Sequence, residues 1–279
     1  RFFVGDVRDY PRLIRAFEDV DIVFHAAALK HVPLIEYNPF EAIKTNIIGT
    51  QNVIDACLHE DVEAAVGVGT DKAVSPLNTY GATKLLMEKL FVTADNYLNS
   101  ERHKTKFIAL RYGNVLGSSG SVVPKFIQQI KNQDMITITD PNMTRFSITM
   151  DEALNFILDS VKIGSGSEIF VPKLRAYSII DIKDALMEML GNTKEENIGI
   201  RAGEKLHETL INQDEMRYVY DIGDKYVIVN PFNTKTVKRE YATNMKKNYA
   251  MTSYSSDKVG RISKDEMKEI ITKSGLLDS

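Results

Sequence analysis

Short apolar runs alternate with stretches of helical period through the first part of the chain. Residues 1–5 and 21–28 read as buried strands, 62–70 as a strand rich in valine and alanine, and 107–112 as another. Between them, residues 41–59 place Ile43, Ile47, Val53, Ile54 and Cys57 at helical spacing, and 78–96 is a long helix. Such alternation predicts parallel strands with crossover helices on both faces, a doubly wound α/β sheet. After Gly117 the pattern loosens, and loops at 118–121 and 140–145 interrupt short helices at 151–162 and 179–190. The expected organisation is a sheet domain over residues 1–117 and a smaller lobe over 118–279 with interleaved returns to the sheet. That lobe is expected over the carboxyl ends of the strands, where open α/β sheets bind ligands. Residues 232–254 are polar and irregular, and no internal repeat is visible.

Composition narrows the function. A chain of 279 residues, 43% apolar and 26% charged, can bury a large core. Its net charge of -3 provides no basic field for nucleic acid. Lys235, Lys238, Arg239, Lys246 and Lys247 are the local exception and read as a solvated face. No apolar run approaches the ~20 residues that a membrane span requires, so no membrane partner is expected. The single cysteine, Cys57, excludes an internal disulfide and suits a reducing, cytoplasmic compartment. No His, Cys and Asp cluster has metal-ligand spacing, and no metal is expected.

Chemistry concentrates in one segment. Thr70-Asp71-Lys72-Ala73 is followed by Tyr80-Gly81-Ala82-Thr83-Lys84. Tyrosine and lysine four apart on a helix share a face. An ammonium beside a phenol favours the phenolate, which a phenol titrating near pH ~10 requires to act as a base near neutrality. Asp71 and Lys72 add an acid and a base just upstream. Adjacent opposite charges are expected to titrate as a coupled unit. Together these groups point to redox chemistry coupled to elimination. A dinucleotide fold of Rossmann type should also open on a strand, a glycine-rich turn and a helix that receives the pyrophosphate. No G-x-G-x-x-G or G-x-x-G-x-x-G occurs before Asp71, and the chain opens on Arg1 without an initiator methionine. Gly117-Ser118-Ser119-Gly120-Ser121 does not fit a G-x-S-x-G nucleophile elbow, so serine hydrolysis is unsupported.

Several segments carry a family resemblance: Gly5-Asp6-Val7-Arg8-Asp9, His25-Ala26-Ala27-Ala28-Leu29-Lys30-His31-Val32-Pro33, Thr45-Asn46, and the Thr70 to Ala73 and Tyr80 to Lys84 stretches. Arg111-Tyr112-Gly113-Asn114-Val115, Met143-Thr144-Arg145-Phe146 and Arg201-Ala202-Gly203-Glu204-Lys205-Leu206-His207-Glu208 continue it. The chain resembles the extended short-chain dehydrogenase/reductases, and within them the inverting UDP-N-acetylglucosamine 4,6-dehydratases that start pseudaminic-acid and related pathways. The resemblance runs from Arg1 to about Val229. Tyr80 behind the Asp-Lys pair points to the pseudaminic-acid branch, since other relatives carry methionine in place of the tyrosine. The family pattern places a strand–turn–helix–strand unit before the position of Arg1, so the chain looks like an amino-terminally truncated member, with a truncated Rossmann-like sheet.

The resemblance implies a mechanism and its residues. Tyr80, supported by Lys84, takes the sugar 4-hydroxyl proton while hydride passes to NADP. Lys72 removes the C5 proton, Asp71 assists loss of the 6-hydroxyl as water, and reprotonation from the opposite face inverts C5. Thr70 contacts the substrate oxygen. Asp6, Val7, Ala26, Ala27, Ala28, Lys30, Asn46, Val115, Leu116, Gly117, Ser118 and Ser119 join Tyr80 and Lys84 in cofactor binding. Lys30, Lys72, Asn114, Val122, Arg145, Arg201 and Glu204 fall to the UDP-sugar, arginine gripping the diphosphate bidentately. Relatives assemble into homo-oligomers. Plain readings stay open: Asp6 as a turn residue, His25 as a core histidine, 114–119 as a Gly-Ser turn, and Arg145, Arg201 and Glu204 as surface ion pairs. Two functional alternatives also stand. A nucleotide-sugar 4-epimerase would need the tyrosine and lysine but not Asp71-Lys72, and an inactive fragment would bind no cofactor. Removal of interior strands from a parallel sheet exposes apolar surface and predicts poor solubility or strong association of the isolated chain.

Overall fold

The computed structural model describes residues 1–97, 102–118, 120–233, 239–247 and 250–277. The chain runs through α1 (Tyr10–Phe17), β1 (Ile22–His25), α2 (Val32–Tyr37) and α3 (Pro39–Ala42), then a π-helical stretch, Ile43–Ile48, that leads into α4 (Gly49–His59). β2 (Ala64–Val68), a 3-10 turn at Asp71–Ala73, α5 (Thr79–Thr93) and β3 (Lys106–Leu110) follow. Next come β4 (Asn114–Val115), α6 (Val122–Lys131), β5 (Ile136–Ile138), β6 (Thr144–Ile148), α7 (Met150–Ile163) and β7 (Glu168–Pro172). The remainder comprises β8 (Ala176–Ser178), α8 (Ile179–Leu190), β9 (Glu195–Asn197), β10 (Thr209–Ile211), β11 (Val219–Asp221), β12 (Lys225–Val229), β13 (Tyr254–Ser255) and α9 (Lys264–Lys273).

Two units emerge. The first gathers residues 1–111, 156–173 and 210–253, and the second 112–155, 174–209 and 254–279. The first unit holds a six-stranded sheet in the order β1-β2-β3-β7-β12-β11. β1, β2, β3 and β7 are parallel, and β12 and β11 close the edge antiparallel. The doubly wound α/β reading thus holds, with an antiparallel edge that periodicity does not reveal. In register, Val66 of β2 stands opposite Phe24 of β1 and Ile108 of β3. Phe91 of α5 is fully buried, stacked at 6.0 Å on His25 and edge-on at 6.0 Å to Phe107. Strand β2 makes room for the ring with Gly67, where an added Cβ would stand 2.9 Å from Phe91.

One expected strand is absent. Residues 1–5 form no strand and are exposed. An isolated extended segment has no ladder to satisfy its backbone, and its Val4 carbonyl instead accepts from Arg12 Nε at 2.9 Å. β1 is the edge of the sheet, and Ile22 and Phe24 are 41% and 44% exposed. Among the other expected strands the observed bounds are shorter, because flanking residues turn toward loops, whereas 179–190 is helical as expected.

The second unit is built on a core of α6, β5, α8 and α9 side chains, among them Phe126, Ile130, Ile136, Ile182, Leu186 and Met267, joined by Met143 just before β6. Helices α8 and α9 start on side-chain caps: Ser178 accepts from Asp181 N at 3.0 Å and Ser263 from Glu266 N at 3.3 Å. No helix among the described residues is long and apolar enough to cross a membrane. Replacing Phe91 by alanine is expected to lower folding stability by about 3–5 kcal/mol in urea denaturation; a loss below about 1 kcal/mol would contradict its central place in the core.

Candidate active site

Strand β2 ends where the reactive residues begin. Gly69 N donates to Leu110 O at 2.8 Å, which prolongs the β2–β3 ladder by one residue. The chain then turns into the 3-10 element, with Thr70 as its cap: the hydroxyl accepts from Lys72 N and donates to Asp71 Oδ1 at 2.8 Å. Lys72 Nζ reaches both carboxylate oxygens of Asp71, at 3.2 and 3.3 Å. The Asp71 carboxyl is 3% exposed and the Lys72 side chain 36%, so the pair is buried at its acid end and open at its amine.

Helix α5 packs against this turn. Asn78 caps it by accepting from Gly81 N at 2.8 Å. Tyr80 is half-buried and Lys84, one turn on, is buried. Lys84 Nζ donates to Val68 O at 2.7 Å and touches Met87 Sδ at 3.0 Å, so the amine is anchored to the last carbonyl of β2. Burial pulls Lys84 down from its ordinary value to about 8, opposed by the neighbouring Glu88 charge. The approach of helix to turn depends on Gly81: a Cβ there would stand 2.3 Å from Lys72 O and 2.9 Å from Pro76 Cβ.

Asn46 points into the same region. It lies in the π-helical stretch, a feature that often marks functional positions. Its carboxamide accepts from Leu29 N at 2.7 Å and donates to Leu29 O and Thr83 Oγ1, both at 3.0 Å. Asn46 thereby ties the loop after β1 to α5, since Thr83 in turn donates to Tyr80 O at 2.9 Å. In that loop Ala26, Ala27 and Lys30 are exposed and Ala28 is half-buried. This open run of small side chains at the carboxyl end of a parallel strand fits the close approach of a dinucleotide. His25 is a satisfied core residue: Nε2 lies 2.8 Å from Thr50 Oγ1, and burial together with the Lys84 charge holds the imidazole down at about 4. Asp6 is exposed and gripped by Arg8 at 2.7 and 3.0 Å, which holds its carboxyl down at about 2. Val7 is half-buried, and its carbonyl accepts from Asn52 Nδ2 at 3.0 Å.

The remaining expected residues lie in the second unit. Asn114 donates to Glu208 Oε1 at 3.0 Å, and Arg145 Nε pairs with the same oxygen at 3.3 Å. Arg145 also donates to the carbonyls of Thr144 at 2.8 Å and Leu206 at 3.1 Å, so its guanidinium is held by the protein itself. Val115 pairs with Ile148, and Leu116 and Val122 pack against the core of this unit. Gly117 adopts φ +78°, a conformation that favours glycine; Ser118 N bonds Val115 O at 3.1 Å. Ser119, like Lys235 and Lys238, lies outside the described residues. Arg201 is exposed, 3.9 Å from Glu204 Oε1, while Glu204 Oε2 is buried without a hydrogen-bond partner.

The structure thus groups Thr70, Asp71, Lys72, Tyr80, Lys84 and Asn46 within the first unit. Sequence reasoning missed Glu208, although its motif was visible, and Lys125. Lys125 donates to Thr137 Oγ1 at 2.7 Å and is pulled down by burial and by the charge of Arg201. Nothing in the spacing marks Lys125. Of the basic cluster, Arg239 pairs with buried Glu168 at 3.2 Å and Lys247 lies 4.0 Å over the Tyr220 ring.

Residues 1–230 match a family model described as polysaccharide biosynthesis protein. The chain belongs to that family. It is 49% identical over 229 residues to a UDP-N-acetylglucosamine 4,6-dehydratase (inverting) of Campylobacter jejuni, covering 82% of this chain and 67% of the relative. It is 39% identical over 272 residues to a UDP-glucose 4-epimerase of Rickettsia canadensis, covering 97% and 79%. The X-ray structure of Pen from Bacillus thuringiensis superposes with a TM-score of 0.88 at 41% identity, covering 99% of this chain and 83% of Pen.

Two outcomes are expected. Gly81→Ala should lower stability by about 1–3 kcal/mol in thermal or urea denaturation, the usual range for overpacking; an unchanged midpoint would show that the turn yields freely. For Lys84, the unfolded amine holds its proton up to about its ordinary 10.5 while the folded one releases it near 8. The stability this group contributes is therefore full above pH 10.5 and is lost as pH falls through 8. Lys84→Met removes that dependence, so the variant's urea midpoint should gain on the parent's as pH is lowered from 10.5 through 8; parallel curves would contradict it.

Proposed function

We propose that the chain is a lyase that dehydrates UDP-N-acetylglucosamine at C4 and C6 with inversion at C5, giving a UDP-2-acetamido-2,6-dideoxy-hexos-4-ulose. The observation that carries this is the Asp71–Lys72 pair, at 3.2 and 3.3 Å, in a turn packed on the helix that bears Tyr80 and Lys84. The dehydratase relative supports the reaction class. NADP is the proposed cofactor, and the product enters pseudaminic-acid-type nucleotide-sugar synthesis in the cytoplasm, by a homo-oligomer.

Each residue takes a part. NADP, when bound, accepts the substrate hydride and returns it. Tyr80, as phenolate, takes the 4-hydroxyl proton, and the Lys84 ammonium one turn away stabilises its charge. Lys72 removes the C5 proton and later supplies one to the opposite face, while Asp71 protonates the departing 6-hydroxyl. Those two roles need a neutral amine and a neutral acid. Transfer of one proton from Lys72 Nζ to Asp71 produces both at once without changing the net charge of the pair. Burial of the carboxyl favours the neutral form of the pair, and Thr70, donating to Asp71 Oδ1, sets the carboxyl's orientation. Asp6, Val7, Ala26 to Ala28, Lys30, Asn46 and residues 115–119 are the proposed cofactor contacts. Asn114, Val122, Arg145, Arg201 and Glu204 are proposed for the UDP-sugar, together with Lys30 and Lys72.

A second reading, a nucleotide-sugar 4-epimerase, is favoured by the match to the epimerase relative over 97% of the chain. Lys72→Ala separates the two. A dehydratase loses turnover by about 10²–10⁴-fold, the range for a general acid or base, whereas an epimerase keeps most of its activity. Fluorescence titration with NADPH accompanies the assay: binding by the 279-residue chain refutes the inactive-fragment reading.

A further inference from the structure

Helix α5 carries a third polar residue on the face of Tyr80 and Lys84. Glu88 follows Lys84 by one turn and is fully buried. Its carboxylate is clamped by Arg111, with Nε at 3.0 Å from Oε2 and Nη2 at 2.5 Å from Oε1. The same guanidinium, wholly buried at the end of β3, grips Glu215 at 2.9 Å through both terminal nitrogens and donates to Leu210 O at 2.8 Å. Glu88 Oε2 stands 3.8 Å from where a Cβ on Gly69 would lie, and Lys84 Nζ bonds the carbonyl of Val68. The two charges therefore flank consecutive residues at the end of one strand. Lys84, Glu88, Arg111 and Glu215 sum to zero, which a dry interior demands of buried charges.

We infer that Glu88 is a positioning residue that keeps the buried Lys84 ammonium charged beside Tyr80, with Arg111 and Glu215 locking the carboxylate in place. The mechanistic use of that charge rests on the proposed function. Other titratable or charged groups on elements packed against α5 are His25 of β1, Glu36 of α2, Glu41 of α3, Lys44 of the π-helical stretch, Asp71 and Lys72 of the turn, Asp55, Cys57 and His59 of α4, Asp95 of the 3-10 stretch Ala94–Tyr97, Lys106 of β3 and Glu168 of β7. His25 is neutral near pH 7 and Lys72 is paired with Asp71. Glu88 is the group that raises the proton affinity of Lys84 against its burial. Tyr-x-x-x-Lys-x-x-x-Glu is thus one functional face, with the glutamate acting through the lysine.

The test follows Lys84 directly. In the full chain labelled with 13C-lysine, the Lys84 NMR signal is assigned by its loss in Lys84→Met, and its titration is read without cofactor or substrate. Failure of the dehydratase reading would leave this measurement intact. Glu88→Gln should lower the titration midpoint by roughly one pH unit, while Glu88→Asp, which keeps the charge, stays closer to the parent. A folded Glu88→Gln chain with an unmoved Lys84 titration overturns the inference. Should Glu88→Gln fail to fold, Glu215→Gln, which unbalances the same guanidinium, must lower Lys84 as well, and an unmoved titration there overturns it equally.

Discussion

A charged amine buried against a strand end is the constraint on which the first unit depends. Lys84 could not remain folded inside the sheet–helix layer without partners, because an isolated buried ammonium is strongly penalised. The structure supplies the Val68 carbonyl, the carboxylate one turn ahead, and a guanidinium that neutralises any excess negative charge. These contacts fix how α5 lies on β2 and β3, and they carry Tyr80 with it. The apolar filling, led by Phe91 between His25 and Phe107, surrounds this polar seam.

The acid–base pair is set by the same strand end. Gly69 closes the ladder to β3, Thr70 turns the chain, and the absence of a side chain at Gly81 lets α5 approach the Lys72 carbonyl. Asn46 holds the loop after β1 against the same helix. The turn that carries Asp71 and Lys72 is thereby held against the helix that carries Tyr80 and Lys84. In the second unit, a single buried carboxylate, Glu208, organises Asn114 and Arg145.

Much of this was legible from the pattern of residues. Alternating strands and helices indicated the parallel sheet, and the Tyr80–Lys84 spacing located α5. Residues 1–5 misled because apolar composition marks a buried strand only where a neighbouring strand pairs with it. The antiparallel edge, β12 and β11, was invisible because two short strands late in the chain show no periodicity that assigns them to the earlier sheet. Glu88 and Arg111 were illegible for another reason: they lie 23 residues apart, and only tertiary contact pairs them. Arg145 donates to carbonyls of its own unit and pairs with Glu208, contacts that spacing alone does not disclose.

The central claim is that the amine and carboxyl beside the phenol remove and replace a carbon-bound proton. Incubation of the chain with NADP and UDP-N-acetylglucosamine in deuterium oxide, read by proton NMR of the product, tests it most directly. The account predicts a 6-deoxy-4-keto sugar with inverted C5 that carries solvent deuterium at that carbon. A C4 epimer that retains its 6-hydroxyl and its original C5 proton would contradict it.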